Sequence, residues 1–132
     1  MALLMPNGGE KDTLELLLNK NTPEDLKIKL YTSNTTPAEA DTAATYTEAS
    51  GNGYAAITLT PASWTIVEGA PTTADHTEVT FSFTGALGNV YGYFIVGNTS
   101  GRLKWAERFS NGPYNIQNNG DAIKITPRIS LD

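Results

Sequence analysis

Cysteine is absent from this 132-residue chain, so neither a disulfide framework nor a thiolate metal site can be built from it. Secreted domains can also lack cysteine, and the compartment stays open on this ground. Histidine occurs once, at position 76, which excludes a multi-histidine metal centre and makes any Ser-His-Asp arrangement depend on that one ring. No serine stands in a G-x-S-x-G setting. Charged residues are scarce at 17%, and the net charge of −5 argues against a nucleic-acid surface, which needs clustered Lys and Arg. No apolar run approaches membrane-spanning length, and residues 1–5 lack a basic n-region, so a soluble chain without a secretory signal is expected. The length suits one ordinary core.

Basic residues are also missing from one long interval. All nine fall between Lys11 and Lys29 or between Arg102 and Arg128, while Glu39, Asp41, Glu48, Glu68, Asp75 and Glu78 lie in the gap. The acidic surplus is therefore regional, and it reads either as solvated loops or as a docking face. The pairs Glu39/Asp41 and Asp75/Glu78 are the candidates for two-carboxylate chemistry, but they sit in Thr- and Ala-rich loops where solvated charge is the ordinary outcome. His76 reads as a surface or strand-edge residue. Residues 118–121, NNGD, lack the calcium-loop pattern and read as a tight turn. No cofactor, metal or catalytic residue is expected.

What the chain does have is a concentration of aromatics in residues 90–109, VYGYFIVGNTSGRLKWAERF, which reads as a β-hairpin around residues 97–101. Its first arm, 90–96, is apolar on both faces, which predicts a strand covered by a core on one side and by another layer or subunit on the other. Its second arm alternates, with Leu103, Trp105, Glu107 and Phe109 on one face and Arg102, Lys104, Ala106 and Arg108 on the other.

Before the hairpin, one helix is expected within residues 12–20, with Asp12 as N-cap and Leu14, Leu17 and Leu18 on one face. So short a helix is marginal alone, so that face should pack on the β domain or on another subunit. Residues 26–31 alternate as a half-buried strand, residues 32–53 form a long loop with Tyr46 its only large side chain, and two short strands follow at 54–60 and 63–67. Residues 68–75 read as a loop, 79–84 as a strand, 110–120 as a loop pinned by Tyr114 and Ile116, and 123–131 as one strand with Ile123, Ile125, Ile129 and Leu131 inward. Pro127 requires an edge position or a bulge near Thr126. The expected fold is all-β, an antiparallel β-sandwich or jelly-roll-like domain over 25–132, preceded by an N-terminal arm with a short helix over 1–24. Trp64, Tyr91, Tyr93 and Trp105 could stack on sugars, or be buried in a core or subunit interface.

The run LYTSN at 30–34 with TPAE at 36–39, GYF at 92–94, WAERF at 105–109, and NGD at 119–121 before IKITP at 123–127 resembles small virion structural proteins of tailed bacteriophages, in particular capsid decoration or cement proteins. The resemblance spans nearly the whole chain. It implies a homo-oligomer, a trimer, that binds and stabilises the assembled lattice of the major capsid protein on the virion exterior, after synthesis in the host cytoplasm. Tail or neck components of this size look similar, and a glycan-binding β-sandwich at a tail tip is a further alternative. Interface residues implied on this reading are Leu14, Leu17, Leu18, Tyr46, Tyr91, Tyr93 and Trp105, with no direct contact to nucleic acid or membrane.

Overall fold

The computed structural model describes residues 4–132, so positions 1–3 of the expected arm lie outside the described residues. The chain forms an all-β, sandwich-like fold of antiparallel sheets with one N-terminal helix. Helix α1 is Asn7–Leu17, and the strands are β1 Leu26–Tyr31, β2 Ile57–Leu59, β3 Trp64–Val67, β4 Thr72–His76, β5 Val79–Ser82, β6 Gly88–Val90, β7 Gly92–Gly97, β8 Leu103–Arg108, β9 Tyr114–Ile116, β10 Ala122–Ile125 and β11 Arg128–Leu131. They are ordered β2-β1-β7-β8, β10-β5, β11-β4-β3 and β6-β9.

The central strand is β7, paired with β1 from Leu26↔Gly97 to Tyr31↔Gly92 and with β8 from Gly92↔Arg108 onward. Its residues are buried throughout, as its unbroken apolar sequence predicts. On one face Tyr93 and Ile95 join Ile28, Leu30, Leu59, Phe81, Phe83, Ile123 and Ile125 in the main core. On the other, Phe94 and Val96 pack with Tyr31, Tyr46, Leu103 and Ala106. Each aliphatic side chain enclosed in this way contributes about 1.5–3 kcal/mol by leaving water. The second cover is the chain's own 32–53 loop. Thr32 N–H donates to Thr47 O at 2.9 Å and Ala49 N–H to Leu30 O at 2.9 Å, while the Tyr46 ring stacks on Phe94 with centroids 5.1 Å apart.

The second arm of the hairpin departs from simple alternation. Ile95 pairs with Trp105 but Val96 pairs with Leu103, so Lys104 is an extra residue, a β-bulge. The bulge turns Leu103 to the Tyr46 side while Trp105 faces the main core, separating two residues that alternation places together.

Other expectations are corrected at their edges. Residues 72–75, read as the end of a loop, belong to β4 because both β3 and β11 pair with that strand. Tyr114–Ile116, read as loop, pairs with β6, and Val90 belongs to β6 rather than to the hairpin. The single strand expected over 123–131 is two strands in different sheets. Pro127 breaks the ladder and is buried, its carbonyl accepting from His76 N–H at 2.9 Å, and the chain crosses there from β5 to β4.

Candidate functional site

Helix α1 is inverted relative to an ordinary amphipathic helix. It buries Gly9 and Asp12 and exposes Leu14, Leu17 and the capping Leu18, at 58%, 79% and 62%. The expected N-cap, Asp12, sits in mid-helix instead, because the helix begins at Asn7, after Pro6. A Cβ at Gly9 would lie 2.1 Å from Lys104 O, so only glycine allows the helix to approach β8 this closely. Proximity then places Asp12, 2% exposed, against Lys104 Nζ at 2.7 Å and Arg102 Nη1 at 3.0 Å. A carboxylate so enclosed is tolerated because two cations meet it.

The same lysine reaches Glu24 Oε1 at 3.5 Å. Glu24 accepts from Thr99 N–H at 2.9 Å, from Ser100 N–H at 2.8 Å and from the Ser100 hydroxyl, clamping the β7–β8 turn to the segment after the helix. Partial burial pushes its carboxyl up, but the Ser100 and Thr99 hydrogen bonds and Lys104 outweigh that and bring it down to about 2. Ahead of the helix, Leu4 exchanges two backbone hydrogen bonds of 2.9 Å with Ala106, and Asn7 N–H donates to Glu39 O at 2.9 Å. The described part of the arm is therefore folded onto its own chain, and what it offers outward is its leucines.

The structure brings together Leu14, Leu17 and Leu18 but not the other implied interface residues. Tyr46, Tyr93 and Trp105 are enclosed by their own chain, since both faces of the central sheet are covered within the protomer. Tyr91 is half-buried under the Arg108 guanidinium, 5.1 Å from its ring centre. Arg108 also donates to Thr35 O at 3.1 Å and Asn34 Oδ1 at 2.7 Å, tying the long loop to β8.

Burial pushes up the phenols of Tyr31, to about 12, and of Tyr46, Tyr54 and Tyr93; bonded carboxylates Asp41, Glu48 and Glu107 reinforce the last three. His76 is buried in β4 rather than at a surface. Its Nδ1 lies 2.7 Å from Thr77 O, and Trp64 meets its ring edge-on at 5.1 Å. Of the regional acids, Asp41 accepts from Tyr46, Glu48 pairs with Lys29, and Asp75 pairs with Arg128, which lowers its pKa. Residues 118–121 form the expected turn, with Asp121 held below the usual carboxylate range by the N–H groups of Gln117 and Asn118. No cluster of three potential metal ligands occurs among the described residues.

A second apolar surface was missed by periodicity. Ile66, Val67 and Leu131 are exposed at the far end of the β11-β4-β3 sheet, although Leu131 shares the inward parity of Ile129. The available signal was the adjacent pair Ile66-Val67, which puts one apolar residue on each face of a strand. Comparison with protein-family models, curated proteins and solved structures finds no match to this chain.

Proposed function

We propose that this chain is a structural subunit of a tailed-bacteriophage virion, a capsid decoration protein that binds the assembled lattice of major capsid protein as a homotrimer. The observation that carries the assembly reading is the outward leucine face of α1. A helix held by a buried ion pair while its leucines face water has its apolar face reserved for another surface. The motifs at 30–39, 92–94, 105–109 and 119–127 carry the virion assignment.

Such a protein acts by mass action. Binding the assembled shell but not free capsid subunits adds its binding free energy to the lattice. Closed symmetry lets one sequence grip several neighbours at once, and weak contacts become durable through effective concentration. A tail or neck position would use the same surfaces. The glycan-binding reading is less well supported, because Tyr93 and Trp105 are enclosed and Trp64 is packed between His76 and Trp105.

An electron-microscopy reconstruction of virions from the source that encodes this chain is the test. The expected result is density for this fold on the outer capsid surface. Density at the neck or tail moves the assignment there, and a particle lacking the chain overturns the virion reading.

A further inference from the structure

The exposed apolar surfaces lie on two different elements, and their flanking charges are opposite. On α1, Leu14, Leu17 and Leu18 are followed by Lys20, which has no ion-pair partner among the described residues. On the β11-β4-β3 ribbon, Ile66 and Leu131 are followed by Glu68 and Asp132, which also have none.

Apart from Val67, which points to the other side, the ribbon's exposed apolar residues share one face. Ile129, Ala74 and Ile66 are successive cross-strand partners, and Leu131 lies two residues beyond Ile129 on the same strand. Ile129 packs on the main core, whereas Ile66 is 73% exposed, so this face continues past the body that covers its beginning. A ribbon with exposed apolar residues on the stretch that overhangs its core is a surface awaiting cover.

Within one chain the two surfaces leave each other uncovered, since Leu14, Leu17, Leu18, Ile66 and Leu131 are all exposed. The Asp12–Lys104 and Asp12–Arg102 pairs and the close approach at Gly9 hold the opposite side of α1 against β8, directing the leucines away from the protomer. A second copy supplies what each lacks, an apolar row with the opposite charge at its end. We propose that α1 of one copy docks through Leu14, Leu17 and Leu18 on the Ile66/Leu131 face of the next, with Lys20 meeting Glu68. Different patches meet, so the contact is head-to-tail and repeats from copy to copy, closing a ring where the rotation allows and otherwise extending as an open filament.

This pairing deepens the assembly reading and rests on it only in requiring self-association. The test is sedimentation of the full chain over a range of concentrations. Wild type is expected to form a concentration-dependent oligomer, and the mass of a single protomer at every concentration overturns the pairing, whatever the particle reconstruction shows.

Leu17→Glu and Ile66→Lys each spoil one surface, and each is expected to weaken association by at least about tenfold, the equivalent of about 1.4 kcal/mol. Mixed together they should form a one-to-one dimer, because each retains the surface the other has lost. Oligomers that survive either substitution, or a mixture that stays monomeric, overturn the head-to-tail contact. Lys20→Glu and Glu68→Lys supply a second check at solvated positions: each alone weakens association, and the doubly substituted chain recovers it. Failure to recover overturns the assigned register.

Discussion

Asp12 and Lys104, ninety-two residues apart in sequence, meet at 2.7 Å in an almost fully enclosed ion pair that fastens α1 to β8. The pair explains why a helix of modest propensity, beginning Asn-Gly-Gly, forms where it does. It also decides which face of that helix remains outside.

Removing one member of the pair should therefore be costly. Asp12→Ala leaves Lys104, itself mostly buried, without its main counter-charge, and a loss of about 3–5 kcal/mol is expected from chemical denaturation. Hydrogen exchange should show α1 amides losing protection ahead of those in β7. A loss well under 1 kcal/mol would mean that the helix is held by its other contacts.

Trp105 and Tyr93 make a contrasting prediction. Both are buried in the protomer, so truncation to alanine should destabilise folding by about 3–5 kcal/mol, and oligomer formation by the folded fraction should persist. Denaturation midpoints and sedimentation of the same samples separate the effects. Full stability with lost association would return these aromatics to a subunit seam.

The aromatic strand and its neighbours were legible because β7 and β1 carry their burial pattern in their residues: an unbroken apolar run, and Leu26, Ile28 and Leu30 in alternation. The antiparallel, sandwich-like class followed from such short runs and the turns between them. The origin of the second cover on β7 was not legible, since residues 32–53 have no period and Tyr46 finds Phe94 only after the loop folds back. The helix was misread for a related reason. Asp12 looks like a cap until β8 supplies a lysine for it, and the helix lies that close to β8 only because Gly9 admits the Lys104 carbonyl. Alternation puts Leu103 and Trp105 on one face, and the fold separates them because a bulge adds a residue that alternation cannot register.

Alkaline titration follows from the buried phenols. The Tyr31 hydroxyl is held at about 12 by burial, and those of Tyr46, Tyr54 and Tyr93 are also raised. An unfolded chain releases these protons near pH 10, so the stability they contribute is fully present below about 10. For Tyr31 it is lost between about 10 and 12 as pH rises. Ultraviolet absorbance of tyrosinate should show these four of the six tyrosines ionising together with unfolding. Ionisation of these four near pH 10 with the fold intact would contradict the packing described.

The acid side tests the Glu24 clamp. With its carboxyl lowered to about 2 in the folded chain against about 4.5 ordinarily, the folded state prefers the carboxylate. Stability from this group is therefore present above about pH 4.5 and is lost as pH falls toward 2. Glu24→Gln removes the charge that Ser100, Thr99 and Lys104 address, and a cost of about 1.5–3 kcal/mol is expected at neutral pH from hydrogen bonds to a charged acceptor. The same substitution should flatten the stability profile between about pH 4.5 and 2, the signature that a simple packing defect does not produce. If wild type and Glu24→Gln lose stability in parallel across that interval, the acid sensitivity belongs to other carboxylates, and the turn at residues 97–101 is held by its backbone alone.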